Sequence, residues 1–178
     1  MASHIRTTSQ AFIALGSNID AERNLPAAVR ELLRYGTIQK ISSVWETAPV
    51  GFLDQPHFLN AVLLLQTRLN IFEIRTEMIP QIEKKLLRIR DPLNKNGPRT
   101  IDVDLAMYDA TVQKDNNFHL PDPDILTRPF LAGLLAEIAP QFVHPTEDRT
   151  LSEIAHNIPA ATNLSFIRTD IDLRKILE

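Results

Sequence analysis

The sequence predicts an α+β domain of the ferredoxin-like type, a βαββαβ sandwich with an antiparallel sheet and helices on one face. The main observation is the order of the periodic segments, which runs β-α-β-β-α-β and ends in additional C-terminal helices. The second is composition, because 178 residues with 44% hydrophobic side chains suffice for one hydrophobic core without disulfide bonds or a structural metal. In this arrangement one sheet face would stay open to hold a site.

The first half of the chain predicts one strand, one helix and two more strands, at residues 11–15, 20–35, 38–47 and 58–66. The helix shows apolar residues at helical spacing, with Asp20 as a candidate cap and Gly36 just after its end. Residues 48–56 contain two prolines, a glycine and no periodicity, so we expect a loop there.

The second half predicts a long helix, a strand and three short helices, at residues 71–90, 101–108, 130–138, 151–157 and 171–177. Pro80 interrupts the long helix and is expected to kink it. Residues 101–108 (IDVDLAMY) alternate between apolar and polar positions and indicate a strand more clearly than any other segment. Proline-rich loops are expected at 91–98 and 119–129.

Composition and charge exclude several classes of protein. The absence of cysteine excludes a disulfide scaffold, a thiolate metal site and a cysteine nucleophile. A formal net charge of −3 provides no overall basic field for nucleic acid or an anionic membrane. No apolar run approaches the ~20 residues of a spanning helix, and the first ten residues lack a signal-peptide stretch. We therefore expect a cytoplasmic protein without nucleic-acid or membrane partners.

Asp102 and Asp104 carry the strongest chemical signal. Alternate residues of a strand share a face, which places these two side chains together, ~7 Å apart at their Cα atoms. Adjacent carboxylates repel unless a cation or proton lies between them, and an all-oxygen pair suits Mg²⁺ with phosphate oxygens and waters. The alternative is two solvated aspartates on an exposed sheet face, which so short a motif does not exclude.

A cluster of basic residues precedes this pair. Residues 84–99 hold six of the 19 basic side chains and a single acid. The five glycines form no phosphate-binding loop motif, so arginine side chains beside the carboxylates would have to hold a polyphosphate. A solvated helix end is the alternative, and it suits Lys84 and Lys85. The candidates for phosphate binding are Arg88, Arg90, Arg99 and, as the weakest, Arg128.

Residues 47–60 (TAPVGFLDQPHFLN) form a second constellation. Phe58 and Asn60 share one face of a strand, where a ring and a carboxamide can stack on and hydrogen-bond a flat heterocycle. Phe130 would be the opposite wall. The alternative is that both phenylalanines belong to the core, which is the commoner position of this residue.

Together these residues resemble the 6-hydroxymethyl-7,8-dihydropterin pyrophosphokinase family of folate biosynthesis. The resemblance covers about residues 12–159 and is carried by FIALGSN (12–18), ETAPVG (46–51), DQPHFLNAV (54–62), IEKKLLRIR (82–90), NGPRTIDVDL (96–105) and RPFLAGLLAEIAP (128–140). It implies a monomeric transferase that moves pyrophosphate from Mg-ATP to the pterin hydroxymethyl group and releases AMP. A single domain over 1–178 is implied, with residues 160–178 unassigned.

The resemblance also implies roles for single residues. Asp102 and Asp104 would hold two Mg²⁺ ions and act in catalysis with Arg88 and Arg99. The pterin would contact Thr47, Val50, Phe58, Asn60 and Phe130. ATP would contact Glu83, Arg88, Arg90, Arg99, Leu105, Asp122 and Arg128. The loops at 48–56 and 91–98 would close over the substrates and exclude water.

The chain departs from the family pattern at two positions. Asp122 stands where the family usually has a histidine that contacts ATP phosphate, and an unpaired carboxylate there would repel the triphosphate. Asn96 replaces an aromatic residue of the catalytic loop. Asp122 motivates one alternative, a non-catalytic pterin- or nucleotide-binding paralogue with weakened ATP binding. Another, an RNA-binding domain of the same fold, is disfavoured by the outward acids of the strand at 101–108.

Overall fold

A six-stranded antiparallel sheet carries the fold in a computed structural model that describes residues 7–90, 92, 94, 96–115, 118–159 and 165–178. Its strand order is β5-β1-β4-β3-β8, and β2 also pairs with β4. The strands are β1 (Ser9–Ser17), β2 (Gly36–Ile41), β3 (Val44–Thr47), β4 (Phe58–Thr67), β5 (Asp102–Tyr108) and β8 (Ser165–Arg168), and a separate hairpin contains β6 (Gln113–Asp115) and β7 (Phe118–Leu120).

The first face of the sheet is covered by α1 (Ala21–Leu32) and by a helical segment that spans residues 71–85. Buried side chains of both segments join those of the sheet in the larger core cluster of the molecule. Asp20 precedes α1 in the left-handed conformation with φ 46°, and its side chain makes no capping hydrogen bond. The expected capping role of Asp20 is therefore wrong.

The long predicted helix is divided into α2 (Ile71–Glu73), a π-helical turn (Ile74–Met78) and α3 (Ile79–Lys85). The π turn ends at Met78, two residues before Pro80, whose ring cannot fit a regular helix against the carbonyl four residues earlier. The segment ends five residues before its predicted end, because Leu87 adopts a left-handed conformation with φ 57°. Arg88 and Arg90 consequently lie in irregular backbone after the helix.

The strand predicted over 38–47 is two strands, β2 and β3, and both pair with β4. Ile41 pairs with Leu63 and Trp45 pairs with Asn60, so one extra residue lies on the β2–β3 side. Such a bulge interrupts pairing and bends the strand. Ser42 occupies the break, and its hydroxyl accepts a hydrogen bond of 2.9 Å from the backbone N–H of Val62.

The second face of the sheet is partly covered, where the sequence predicted it to stay open. Helices α4 (Pro129–Ile138) and α5 (Leu151–Asn157) pack on one half of it and form a second core cluster. Five of the ten residues of α4 are buried, because an almost wholly apolar helix needs partners on two sides. The sheet and α5 supply these partners, and the other half of the face remains accessible.

The C-terminal part of the described chain returns to the sheet. Strand β8 pairs with β3, and a 3₁₀ turn at Leu173–Ile176 stands in place of the helix predicted over 171–177. Leu173 is buried in the larger core cluster. Residues 160–164 of the unassigned tail lie outside the described residues. No helix in the described residues is long and apolar enough to span a membrane.

Candidate active site

The accessible half of the second sheet face is the floor of a cleft of about 300 Å³. Three neighbouring strands, β5, β1 and β4, meet there, because Gly16 pairs with Asn60 on one side and with Asp102 on the other. The walls come from α4 and from loops on both sides of the floor. Ten predicted site residues line this cleft: Thr47, Val50, Phe58, Asn60, Arg99, Asp102, Asp104, Asp122, Arg128 and Phe130.

A fixed carboxamide lies at one side of the floor. The Asn60 side chain is buried and donates from Nδ2 to the hydroxyl of Thr47 at 2.9 Å. A Cβ atom on Gly16 would lie 3.2 Å from Asn60 Oδ1, so the glycine leaves room above the amide. The pair therefore presents preoriented polar groups to a flat ligand in the cleft.

The aromatic walls are accessible to the cleft. Phe58 and Phe130 are both half-buried and line it, and Phe130 also packs against the second core cluster, so the core alternative holds in part for Phe130. The guanidinium carbon of Arg99 lies 5.7 Å from the centroid of the Phe58 ring. A cation at this distance from an aromatic face is attracted by the ring quadrupole. The same arginine thus connects the aromatic wall to the acidic end of the cleft.

Asp102 is held by two arginines. Arg88 and Arg99 each donate to one of its carboxylate oxygens. Arg88 is itself buried between Asp102 and Glu83, and Glu83 also accepts a hydrogen bond of 2.8 Å from Arg90. Arg88 therefore lies behind the cleft floor, where it neutralises Asp102, and Glu83 holds Arg88 in place.

Asp104 has a different environment. Its side chain is exposed to the cleft, and among the described residues no cationic group forms an ion pair with it. Partial burial, followed by the charges of Asp102 and Asp122, raises the pKa of Asp104 to about 7. An unpaired carboxylate beside a second one is electrostatically suited to a bound cation.

The carboxylate pair fits the ligand preference of Mg²⁺, which takes oxygen ligands and keeps several waters. The described residues contain no group of three or more histidine, cysteine or acidic side chains that could hold a metal ion. Waters and substrate oxygens would have to complete the coordination of any ion at Asp102 and Asp104.

A second cleft of about 420 Å³ lies beyond Asp104 and Asp122, which line both cavities. Among the predicted residues, Arg90 and Leu105 line only this second cleft. The side chain of Leu105 is buried in the core, so a ligand in this cleft would contact the backbone of this residue. The unpredicted residues that line it include His119 and Arg75. The guanidinium carbon of Arg75 lies 3.5 Å from the centroid of the Phe118 ring.

Asp122 caps a turn. Its carboxylate accepts a hydrogen bond of 2.9 Å from the backbone N–H of Asp124, at the start of the 3₁₀ turn Pro123–Leu126. Burial raises the pKa of the Asp122 carboxyl. Arg128 in turn pairs with the Asp124 side chain at 2.8 Å. The acid that departs from the family pattern thus has a structural partner and a reduced tendency to ionise.

Sequence reasoning missed Asn18, which joins the loops around the cleft. Its buried side chain accepts from the backbone N–H of Arg99 at 2.8 Å and donates to Gln55 Oε1 at 2.9 Å. Gln55 donates to the backbone carbonyl of Asn96 at 2.7 Å, so three loops share one network. The available signal was a polar residue directly after a buried strand. Residues 91, 93 and 95 of the predicted closing loop lie outside the described residues.

Comparison with known proteins places the chain in a family. The sequence model for 7,8-dihydro-6-hydroxymethylpterin-pyrophosphokinase matches residues 12–140. A 2-amino-4-hydroxy-6-hydroxymethyldihydropteridine pyrophosphokinase of Bacillus subtilis is 41% identical over 134 residues, which are 74% of this chain and 78% of that protein. The pyrophosphokinase of Aquifex aeolicus is 34% identical over 143 residues, 80% and 88% of the two chains.

Longer relatives contain the same region as a part. The folic acid synthesis protein FOL1 of Dictyostelium discoideum is 30% identical over 154 residues, which are 86% of this chain but 23% of that protein. The solved structure of Plasmodium falciparum HPPK-DHPS matches with a TM-score of 0.68 at 14% identity, over 86% of this chain and 45% of that one. This structural match supports the fold alone.

Proposed function

Because the chain belongs to the 7,8-dihydro-6-hydroxymethylpterin-pyrophosphokinase family, we propose a specific division of the reaction between its two clefts. The protein is a pyrophosphokinase of folate synthesis with ATP as co-substrate. The pterin occupies the cleft with the aromatic walls, and ATP enters through the neighbouring cleft. The observation that carries this proposal is that Asp104 and Asp122 line both cavities while Phe58, Asn60 and Phe130 line only the first.

The pterin cleft suits a flat, polar heterocycle. Phe58 and Phe130 supply ring faces, and Thr47 and Asn60 supply fixed hydrogen-bonding groups beside them. Val50 adds backbone groups from the loop above. A volume of about 300 Å³ is at the lower end of the range for small-molecule sites, as a bicyclic ligand requires.

The arginines form the phosphate-binding part of the site. Arg99 and Arg128 line the pterin cleft, Arg90 lines the nucleotide cleft and Arg88 is fixed behind Asp102. Guanidinium groups match phosphate oxygens with two parallel hydrogen bonds. The remaining proposed ATP contacts are Glu83, the backbone of Leu105 and Asp122, whose capping hydrogen bond directs its carboxylate toward Asp124.

Asp102 and Asp104 are proposed to hold two Mg²⁺ ions together with ATP oxygens. Such ions would neutralise phosphate charge and help to align the attacking hydroxyl with the β-phosphorus. Arg88 and Arg99 keep Asp102 oriented in the absence of substrate, so that half of the site is preorganised. Asp104, which lacks a cationic partner among the described residues, gains the most from a bound cation.

In the proposed reaction the pterin hydroxymethyl oxygen forms a bond to the β-phosphorus of ATP. The bond from that phosphorus to the oxygen shared with the α-phosphate breaks, AMP leaves and the hydroxyl proton is released. In their proposed catalytic roles, Arg99, which lines the cleft, stabilises the developing charge on the leaving oxygen, and Arg88 contributes positive charge from behind Asp102. The network of Asn18 and Gln55 holds the flanking loops close to the cleft and limits the access of water.

The βαββαβ segment order and the sheet order support a ferredoxin-like arrangement with additional C-terminal helices. We propose one domain over residues 1–178 that works as a monomer in the cytoplasm. Nothing in the described residues or the relatives favours the non-catalytic paralogue, because Asp122, which motivated it, serves as a turn cap.

The direct test is an assay of AMP formation with Mg-ATP and 6-hydroxymethyl-7,8-dihydropterin. AMP should appear only when the pterin is present, in a one-to-one ratio with the pterin diphosphate. Circular dichroism on the same sample checks that the protein is folded. Folded protein that forms no AMP above background would contradict the proposal.

A further inference from the structure

Arg168, in the C-terminal strand β8, pairs with acidic residues of two other elements, α1 and β3, and with Asp170 in the turn that follows β8. Its Nη2 lies 2.8 Å from a carboxylate oxygen of Glu22 in α1 and 2.6 Å from one of Asp170. Its Nη1 lies 3.1 Å from Glu46 of strand β3. Arg168 and Glu46 are 23% and 19% exposed, whereas Glu22 and Asp170 are 68% and 60% exposed, so the Arg168–Glu46 pair is the partly shielded part of this network.

The network continues from Glu46 to the start of β4. The other carboxylate oxygen of Glu46 lies 3.2 Å from His57 Nδ1. Glu46 directly precedes Thr47, and His57 directly precedes Phe58. Thr47 and Phe58 are paired across β3 and β4. Glu46 and His57 are therefore each covalently adjacent to a residue that lines the pterin cleft.

The network lies on the opposite side of the sheet from the ligand. Neighbouring residues of a strand point to opposite faces, so Glu46 faces away from the cleft that Thr47 lines. A separate cavity on that side is lined by Glu46, His57 and Arg168, none of which lines the pterin cleft. Arg168 can therefore influence the site only through the strands and not by touching a ligand.

Strand β3 depends on its neighbours for its position. It has four residues, and β8 pairs with all of them, from Val44 with Arg168 to Thr47 with Ser165. On the cleft side, Glu137 of α4 accepts hydrogen bonds from Trp45 Nε1 at 2.9 Å and from the Ser43 N–H at 2.8 Å. Strand β8 supplies the corresponding support from the edge, since a strand this short is weakly held by one partner.

We propose that Arg168 is a positioning residue for the pterin. It fixes Glu46, and through His57 the start of β4, and so maintains the separation of Thr47, Asn60 and Phe58 around the ring. Residue 168 lies outside the residues 12–140 that the family model matches, so this support comes from a part of the chain beyond the matched region. The inference rests on the proposed function, because it requires that the pterin binds in the first cleft.

The test compares variants in steady-state kinetics with both substrates. Arg168→Met should raise the KM for the pterin about five- to tenfold, with the KM for ATP and kcat within about twofold of the wild type. Arg168→Lys should recover part of the loss, because an ammonium can still pair with one carboxylate. Glu46→Gln should reproduce the effect of Arg168→Met, and it covers the case in which that variant does not fold.

Two controls separate positioning from general stability. Arg174→Met removes an ion pair with Asp172 in the same C-terminal segment, and it should leave both KM values unchanged. Glu22→Gln removes the α1 partner of Arg168 but keeps Glu46, so its effect on the pterin KM should be smaller than that of Glu46→Gln. The melting temperature of each variant shows whether the kinetic effect follows stability.

The outcomes distinguish the two levels of inference. A pterin KM that is unchanged in both Arg168→Met and Glu46→Gln, or a KM for ATP that rises equally, would overturn the positioning role. Pterin affinity measured by calorimetry without ATP should fall by the same factor. A folded wild-type protein that binds no pterin would instead overturn the proposed function, and this inference with it.

Discussion

The two halves of the second sheet face are built from the same strands and have opposite chemistry. Under α4 and α5, strands β1, β4 and β5 present Phe12, Leu64 and Ala106, which are buried in an apolar cluster. Toward the other end the same faces of those strands present Gly16, Asn60 and Asp102 at the floor of the cleft. The side-chain alternation continues along each strand, and only the polarity changes.

This difference shows what marks the site within a regular sheet. The apolar half can be buried, and it supplies hydrophobic stabilisation in proportion to the area it removes from water. The polar half contains the carboxylates of Asp102 and Asp104, which repel each other, and burial raises the pKa of Asp104. Stability and function are thus separated along the strands, so substitutions in the two halves should have separable effects.

The largest effect should come from removing the unpaired acid of the polar half. Asp104→Ala should lower kcat/KM by about 10²- to 10³-fold, since one electrostatic contact at the reacting phosphates is lost. Its melting temperature should equal or exceed that of the wild type, because a repelling carboxylate is gone. The measurement is AMP formation, with thermal unfolding of the same preparation. A variant that loses activity only in proportion to its unfolded fraction would contradict the separation of the halves.

The apolar half should respond in the opposite way. Ile154 in α5 is fully buried, and Ile154→Ala should lower the free energy of unfolding by about 2–5 kcal/mol through lost burial and a cavity. Urea unfolding measures this loss. The kcat of the folded fraction should stay within about twofold of the wild type. A large fall in kcat at unchanged stability would show that the two halves are coupled.

Two glycines offer a matched comparison between the halves. A Cβ on Gly16 would lie 3.2 Å from Asn60 Oδ1, while a Cβ on Gly133 would lie 2.8 Å from the ring of Trp45. Gly16→Ala should raise the KM for the pterin about tenfold, as an added methyl group does in a fitted pocket. Gly133→Ala should instead lower the free energy of unfolding by about 1–3 kcal/mol through overpacking. If both variants showed the same change, in the KM for the pterin or in the free energy of unfolding, the separation of the two halves would be contradicted.

The alternation of residues 101–108 was enough to place the two aspartates on one face, because a strand with one buried side has a fixed pattern. The family model supports the resemblance read from the motifs. The partial coverage of the second face was not predicted, since the number of apolar residues in α4 shows that the helix is buried but not against which surface. The break at Ser42 was missed because a one-residue bulge leaves both flanking strands with ordinary strand composition.

The arrangement of the charged residues could be predicted only in part. Sequence spacing suggested that the arginines and aspartates lie close together, but not that Arg88 is buried between Asp102 and Glu83 while Asp104 lacks a cationic partner among the described residues. Such contacts depend on where the chain goes after Leu87 leaves the helix. The Arg168 network was beyond sequence reasoning, because its members are separated by up to 146 positions.

The smallest effect should be a pH dependence that originates in the polar half. The folded protein raises the pKa of Asp104 from 3.8 to about 7, so it binds this proton more tightly than the unfolded chain does. The stabilising contribution is complete below the unfolded pKa and is lost as the pH rises through the folded pKa. Asp104→Asn should therefore gain in melting temperature over the wild type as the pH increases from about 5 to about 8. The gain should be modest, since the side chain is exposed to the cleft and solvent screens its charge. Mg²⁺ should reduce the difference by stabilising the wild type at the upper pH, and a difference independent of both pH and Mg²⁺ would contradict the assignment of Asp104 as the unpaired acid.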